Sequence, residues 1–269
     1  MVAPIKAWCF NHLPKGVLAS LHGIRFAWLL HRRPQDPETA LLRDLLQPGD
    51  IAVDVGANGA NWTWFLSQAV GADGHVFAFE ADPYYARATA AAVRAMRLTN
   101  VTLFPFGLSD RPELVTLRTQ DPTGALLGGC SHVDRGAAPG TGVARVRLEP
   151  LDDLVDKHPT LARTALLKCD VEGYELPVLR GAETILRQAR PILIFETGHG
   201  ETQGFGATDI GDWLIGRDYT LYALNRTGRL VPVPPDLSHP DAATVNRIAL
   251  PRERLDALSD RLPFAGRTR

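Results

Sequence analysis

The chain of 269 residues has little cysteine, no strong excess of charge and no long apolar run. Its three cysteines, Cys9, Cys130 and Cys169, are scattered and form no C-x-x-C pair, which argues against a disulfide framework and a structural zinc site. A formal net charge of -1 gives no reason to expect non-specific nucleic-acid binding. We therefore predict a protein of the reducing cytoplasm with no nucleic-acid partner.

The apolar stretch at residues 16–30 is interrupted by His22 and Arg25 and is too short to span a bilayer. A signal peptide is not expected, because no small-residue cleavage site follows an unbroken apolar core. Two interpretations remain for its helical stripe: an interfacial membrane helix, or a helix packed over the main domain. The second is favoured because such stripes usually face a core, and no stable membrane insertion is expected. The stripe comprises Leu18, Leu21, Ile24, Trp28 and Leu29.

Apolar residues make up 45% of the chain, enough for one sizeable α/β domain with a small appendage. We predict a helical amino-terminal cap at residues 1–47, a main domain at 48–250 and a carboxyl-terminal tail at 251–269. Residues 111–148 break the alternation of strands and helices, which indicates an inserted hairpin with a long loop rich in Gly and Pro. Such a loop is commonly a lid or a binding loop.

The most informative segment is an apolar run at residues 51–55 that contains Asp54 and turns into a helical pattern. A second apolar run, at residues 76–79, ends on Glu80. This order of strand, glycine loop, helix and acid-ended strand is typical of an adenosyl-cofactor site. The carboxylate in such a site accepts hydrogen bonds from the ribose hydroxyls. The loop residues are Gly56, Ala57, Asn58 and Gly59.

The loop also indicates which adenosyl cofactor is bound. A dinucleotide site needs G-x-G-x-x-G so that the pyrophosphate lies on helix-terminal N–H groups, and a carboxylate at Asp54 would repel that pyrophosphate. The same carboxylate attracts the α-ammonium of S-adenosylmethionine, which has no phosphate. Electrostatics therefore favours S-adenosylmethionine, although Asp54 could instead be a strand-end acid that caps the turn.

Further acids follow two later strands. Asp170 and Glu172 come after an apolar run at residues 164–169, and Glu196 ends a run that begins at residue 191. The carboxyl ends of parallel strands converge on one crevice, so we expect these acids to share a rim with Asp54 and Glu80.

Six motifs in this order make the chain similar to the FkbM family of S-adenosylmethionine-dependent methyltransferases. They are D-V-G-A-N (54–58), F-E-x-D-P (79–83), G-L-S-D (107–110), L-D-D-L (151–154), L-K-C-D-V-E-G-Y-E (167–175) and V-L-x-G-A (178–182). The resemblance covers about residues 48–250. It departs from the family at Ala60, where a glycine is usual, and at Ala81, where a proline is common.

The resemblance implies a doubly wound, Rossmann-like sheet that is mostly parallel, with one antiparallel edge strand near the carboxyl terminus. It implies O-methylation of a small molecule, such as a sugar or a natural product. The expected cofactor-binding residues are Asp54, Gly56, Ala57, Asn58, Gly59, Glu80, Ala81, Gly107, Leu108, Ser109 and Asp170. The expected substrate-binding residues are Ser131, Glu172 and Glu196.

A hydroxyl acceptor must lose its proton, which calls for a general base. Three candidates are His199, just past a strand end, Asp170 on the rim and His132 in the long loop. The rim acids could also bind a divalent ion, but such acids more often cap helices or accept hydrogen bonds, so we predict no metal.

Two other functions stay open. A nicotinamide-dependent oxidoreductase is disfavoured by the missing third loop glycine, and a non-catalytic cofactor-binding protein is supported only by the altered spacing at Gly59 and Ala60. The expected partner is a small-molecule substrate, and a homodimer is left open.

Overall fold

The computed structural model describes residues 13–30, 37–138, 140–197 and 204–265. The strands within these ranges are β1 (Ile51–Val55), β2 (His75–Phe79), β3 (Val101–Phe104), β4 (Gly107–Leu108), β5 (Glu113–Arg118), β6 (His132–Val133), β7 (Val143–Glu149), β8 (Thr164–Cys169), β9 (Ile192–Glu196), β10 (Tyr219–Leu224), β11 (Leu230–Pro232) and β12 (Asn246–Pro251). The α-helices are α1 (Lys15–Leu30), α2 (Pro37–Leu45), α3 (Asn61–Val70), α4 (Pro83–Ala95), α5 (Glu175–Arg180), α6 (Glu183–Gln188), α7 (Ala207–Ile215) and α8 (Leu255–Ser259). Short 3-10 turns lie at Asn58–Ala60, Asp152–Leu154, Pro159–Arg163 and Arg252–Arg254.

The central sheet has eight strands in the order β3-β2-β1-β8-β9-β12-β10-β11. The five strands from β3 to β9 are parallel, which confirms the predicted mostly parallel α/β sheet. The prediction of one antiparallel edge strand needs correction. Two strands are antiparallel to the parallel set: β11 at the edge, and β12, which lies inside the sheet between β9 and β10. Strand order depends on where the chain returns after β11, which local apolar patterns do not specify.

The central strands β1 and β8 are apolar on both faces, as expected for parallel strands covered by helices on either side. Successive side chains of β1 enter different cores. Val53 and Val55 pack on the side of α5 and α6, whereas Ala52 packs on the side of α2 and α3. Asp54 and Lys168 are polar exceptions within this otherwise apolar layer, and both are fully buried. Their position indicates a role at the nearby strand ends.

A second sheet of four strands, in the order β4-β7-β5-β6, lies beside the carboxyl ends of the central strands. β5 and β7 pair antiparallel from Glu113 opposite Leu148 to Arg118 opposite Val143, as predicted for the inserted hairpin. The apolar side chains of this sheet form a small core with Tyr174, which comes from the turn after β8. The inserted segment is therefore attached to the loop that follows the central strand β8.

The helix α1 packs closely on α4 through its small residues Ala19, Gly23 and Ala27. A Cβ atom at Gly23 would lie 2.0 Å from the carbonyl oxygen of Ala88, so this approach requires glycine. The helix packs on α4 through the face opposite to the predicted stripe. Within the described ranges, no helix is long and apolar enough to cross a membrane.

Candidate active site

The loop after β1 approaches the end of β8 through Gly56. The φ angle of Gly56 is +80°, in the left-handed region that favours glycine. A Cβ atom there would lie 1.9 Å from the carbonyl oxygen of Asp170. Any side chain at residue 56 would push the two strand ends apart, so the glycine keeps the loop next to Asp170.

Every backbone N–H from residue 56 to residue 60 already donates a hydrogen bond within the protein. The acceptors are the carbonyl oxygen of Phe79 for Gly56 and Ala57 (3.0 and 3.1 Å), the carboxylate of Glu80 for Asn58 (2.8 Å), the hydroxyl of Thr89 for Gly59 (3.0 Å) and the carbonyl oxygen of Ala57 for Ala60 (2.8 Å). A dinucleotide-binding loop instead directs such groups at a pyrophosphate. The N–H groups of this loop are therefore used within the protein, whereas those of a dinucleotide site would bind phosphate.

Ala60 occupies the position where the family usually has glycine. Its φ angle is +74°, so the alanine adopts the left-handed conformation that glycine would take. The conformation costs an alanine about 1–2 kcal/mol. Ala60 therefore holds, at an energetic cost, a backbone conformation that favours glycine.

Glu80 follows β2 and holds the loop through both carboxylate oxygens. Oε2 accepts from the backbone N–H of Asn58 (2.8 Å) and Oε1 accepts from that of Asp82 (2.9 Å). Burial raises the pKa of Glu80 to about 7, against the opposing effect of these two hydrogen bonds. Each carboxylate oxygen has a second lone pair, so Glu80 can also accept a hydrogen bond from a ligand hydroxyl.

Asp54 lies within β1, beneath the loop. Its side chain is fully buried, and Oδ2 accepts a 2.6 Å hydrogen bond from the hydroxyl of Thr63. Burial raises the pKa of Asp54, although Lys168 and Thr63 oppose the shift. The side chain does not line the cleft described below. Among the described residues, Oδ1 has no hydrogen-bond partner, and contact between Asp54 and a ligand ammonium stays a prediction.

Lys168 connects this buried layer with the cleft. Its Nζ lies 3.2 Å from Asp170 and 3.8 Å from Asp54, and it donates to the carbonyl oxygen of Gly56 at 3.4 Å. Burial lowers the pKa of Lys168, but the two carboxylates outweigh burial, so its pKa is raised. Lys168 thus forms an ion pair with Asp170, an acid that reaches the cleft.

Three of the five acids predicted to share a rim lie close together, and they are those that follow β8 and β9. Carboxylate oxygens of Asp170, Glu172 and Glu196 lie within 4.8 Å of one another. Burial, and then the charges of Asp170 and Glu172, raise the pKa of Glu196 to about 8. Glu196 therefore holds its proton at neutral pH and shares a hydrogen bond with Asp170.

An open cleft runs between these strand ends and the second sheet. Its walls are partly apolar, with Leu117, Val133 and Leu148 contributed by the second sheet. Among the described residues, no lysine or arginine side chain lines it. The part of the cleft that the structure describes thus offers carboxylates and apolar surface to a ligand, without a lysine or arginine for a phosphate.

The structure separates the predicted site residues into groups. The predicted cofactor residues that line the cleft are Gly56, Asn58, Glu80, Ala81, Gly107, Leu108 and Asp170. Those that lie buried behind its surface are Asp54, Ala57, Gly59 and Ser109. Of the predicted substrate residues, Ser131 and Glu172 line the cleft, and Glu196 joins Asp170 and Glu172 at the rim.

Two predicted bases have a different outcome. His132 is not among the residues that line the cleft, and its role as a base stays a prediction. Adjacent side chains of a strand point to opposite faces, and here Val133 faces the cleft while the His132 ring contacts the carbonyl oxygen of Cys130 (3.1 Å). His199 lies outside the described residues.

Asp82 is a site residue that the sequence analysis missed. It lines the cleft, caps α4 by accepting from the N–H of Tyr84 (2.8 Å), and accepts from the hydroxyl of Ser131 (2.7 Å). The inserted loop is thereby attached to the end of β2. The sequence Asp82-Pro83 marks a helix start, but the partner 49 residues away leaves no local pattern.

Gly129 brings the inserted loop against the loop of residues 56–60 after β1, which we call the cofactor loop. Its φ angle is +106°, and a Cβ atom there would lie 2.1 Å from the Nδ2 atom of Asn58. The inserted segment therefore closes one side of the cleft through a contact that only glycine allows.

Several solved structures are similar to this chain at low identity. An FkbM methyltransferase from Methylobacillus flagellatus is 16% identical with a TM-score of 0.48, covering 83% of this chain and 57% of that one. A SAM-dependent methyltransferase from Aquifex aeolicus is 14% identical with a TM-score of 0.42, covering 80% and 87%. A SAM-dependent O-methyltransferase from Thermotoga maritima is 15% identical with a TM-score of 0.41, covering 81% and 66%. This chain thus spans just over half the length of the Methylobacillus protein.

No curated protein matches the chain in sequence. The family model of the methyltransferase FkbM domain, in contrast, matches residues 54–221, which is more than half of the chain. The match begins at Asp54 and includes the cofactor loop, Glu80, the second sheet and the acidic rim. The chain therefore belongs to the FkbM methyltransferase family, whose methyl donor is S-adenosylmethionine.

Proposed function

We propose that this protein methylates a hydroxyl oxygen of a small molecule, with a sugar or natural product as the acceptor class. The observation that carries the proposal is the position of the acidic rim. Asp170 belongs both to the cleft and to the cluster with Glu172 and Glu196. Groups that can hold or accept an acceptor proton therefore adjoin the groups suited to the methyl donor.

The cleft fits the chemistry of S-adenosylmethionine. Glu80 offers carboxylate oxygens to a ribose diol, and Asp170 offers a negative charge to the ammonium group in place of the buried Asp54. Leu108 and Val133 provide apolar surface for the adenine ring of the cofactor. When bound, the cofactor supplies an electrophilic methyl group, and the protein has to position the acceptor and take up its proton.

We propose Asp170 and His199 as the two candidates for that proton acceptor. Asp170 lines the cleft, and the ammonium of Lys168, 3.2 Å away, holds its carboxylate in place. Glu196 is protonated at neutral pH, so it can donate a hydrogen bond to Asp170 or to a bound acceptor and help to orient it. Ser131 and Glu172 are proposed to contact the acceptor from the loop and the rim.

The two alternative functions are less well supported. A nicotinamide dinucleotide would find no available loop N–H from residue 56 to residue 60 for its pyrophosphate. A non-catalytic protein was suggested only by the changed spacing at Ala60, and the left-handed conformation of Ala60 keeps the loop geometry. Mass spectrometry of nucleosides released from the purified protein separates these functions: an adenosyl sulfonium or thioether supports methyl transfer, and a nicotinamide nucleotide contradicts it.

The acceptor class can be tested directly. The full chain is incubated with methyl-labelled S-adenosylmethionine and matched acceptors that carry a hydroxyl, an amine or a thiol on the same sugar or polyketide ring. Label in the hydroxyl compounds alone is the expected result. Label in RNA or protein, or only in amines or thiols, would contradict the proposal.

The domain division predicted above and a cytoplasmic location are kept as proposals. A reducing compartment is consistent with the described cysteines, Cys130 and Cys169, which are both free.

A further inference from the structure

The helix α1 exposes a stripe of large apolar side chains on the face opposite α4. The exposed fractions are 45% for Val17, 50% for Leu21, 51% for Ile24 and 55% for Trp28. Their spacing of four, three and four residues places them on one side of a helix. The other side is also apolar but buried, so α1 is apolar on both faces, and the stripe stays about half exposed.

Charge distinguishes this part of the chain from the rest. Residues 1–35 contain five Lys and Arg residues and no Asp or Glu. Residues 36–269 contain the other 24 Lys and Arg residues and all 30 Asp and Glu residues. Lys15 and Arg25 are exposed on α1 itself. A helix with an exposed apolar stripe, flanked by cations and free of acids, matches a surface that carries both apolar chains and negative charge.

We propose that α1 is a docking surface for an anionic lipid membrane, with the Val17–Trp28 stripe in contact with the acyl chains and Lys15 and Arg25 near the headgroups. The helix lies on the membrane and does not cross it. A second copy of the chain is a poorer occupant, because a two-fold contact through this face would bring the same cations together. The amino-terminal residues 1–12 add Lys6 and no acid, so they cannot balance this charge.

The test is sedimentation of the full chain with vesicles of phosphatidylcholine alone or of equal parts phosphatidylcholine and phosphatidylglycerol. We expect binding to the anionic vesicles only, weakened by salt. Arg25→Gln should lower the partition coefficient about fivefold, as for the loss of one cation near the surface. The double variant Leu21→Ser/Ile24→Ser should lower it more than about tenfold, as for the loss of two buried aliphatic groups.

Leu114→Ser is the matched control, because Leu114 is an apolar residue on the second sheet with 64% exposure. It should bind vesicles like the unaltered protein. Circular dichroism and cofactor binding of each variant show that the fold persists. Failure of the unaltered chain to bind anionic vesicles, or equal binding by Leu21→Ser/Ile24→Ser, would overturn the proposal. So would a dimer in light scattering that this double variant converts to a monomer, since that result assigns the stripe to a second copy.

Discussion

The ammonium group of Lys168 lies 3.2 Å from the carboxylate of Asp170, although Lys168 is buried and Asp170 reaches the cleft. The same ammonium lies 3.8 Å from the buried Asp54 and donates to the carbonyl oxygen of Gly56. One cation thereby holds an acid of the cleft, an acid of the core and the backbone of the cofactor loop. The geometry of the cleft depends on this buried charge network.

Replacing Lys168 with Met should reduce the free energy of unfolding by about 3–5 kcal/mol, the usual cost of leaving a buried charge without its partner. Urea denaturation measures the change. The double variant Lys168→Met/Asp54→Asn should recover part of it, because the second substitution removes the unpaired acid. A loss below about 1 kcal/mol in the single variant would show that the network contributes little to stability.

The acidic rim should make stability depend on pH through Glu196. Because the folded pKa of about 8 exceeds the unfolded value of 4.5, the folded protein retains a proton that the unfolded chain has lost. Stability from this group is therefore greatest at low pH and falls as pH rises from about 4.5 to about 8. Glu196→Gln should remove this decrease, so the variant gains stability relative to the unaltered protein between pH 5 and pH 8.5 in urea denaturation.

The exposed acid Asp73, in the turn before β2, provides the control for that experiment. Asp73→Asn should keep the pH dependence of the unaltered protein. If Glu196→Gln also keeps it, the clustering of Asp170, Glu172 and Glu196 does not govern the protonation of the rim.

Substitution kinetics can distinguish the two candidate bases. If His199 takes the acceptor proton, His199→Ala should lower kcat by about 10²–10⁴ while the Kd for cofactor stays constant. If Asp170 takes it, Asp170→Asn should cause the larger loss of kcat, together with a weaker cofactor affinity from the lost negative charge. Nearly full kcat in both variants would eliminate both residues as the base.

The contact between the inserted loop and the cofactor loop can be tested with two neighbouring glycines. Gly128 and Gly129 both have positive φ angles, but an added Cβ atom meets nothing within 4 Å at Gly128 and lies 2.1 Å from Asn58 at Gly129. Gly129→Ala should therefore raise the Kd for cofactor and the KM for acceptor, whereas Gly128→Ala carries only the backbone strain. Equal effects in the two variants would mean that the contact with Asn58 is not required.

The sequence predicted the parts of the site that depend on strand ends. The convergence of Glu80, Asp170 and Glu196 follows from three apolar runs that each end in or next to an acid, because parallel strands bring these ends to one edge. The sheet class and the β5–β7 pairing followed in the same way from local patterns. These features need no knowledge of long-range packing.

Features that depend on side-chain direction were not predicted. Asp54 lies within β1 and not after it, so the pleat directs its side chain into the buried layer beside Lys168. The same alternation turns His132 away from the cleft and Val133 toward it. The packed face of α1 was misjudged because close helix contact selects the small residues Ala19, Gly23 and Ala27 over the larger apolar stripe.

The central claim is that the cleft holds the methyl donor with Glu80 at the ribose. Calorimetric titration of S-adenosylhomocysteine into the unaltered protein and into folded Glu80→Ala tests it most directly. We predict that Glu80→Ala weakens binding by about 1–3 kcal/mol, the loss expected for hydrogen bonds to a charged group. Unchanged affinity in a folded Glu80→Ala protein would contradict the assignment of this cleft.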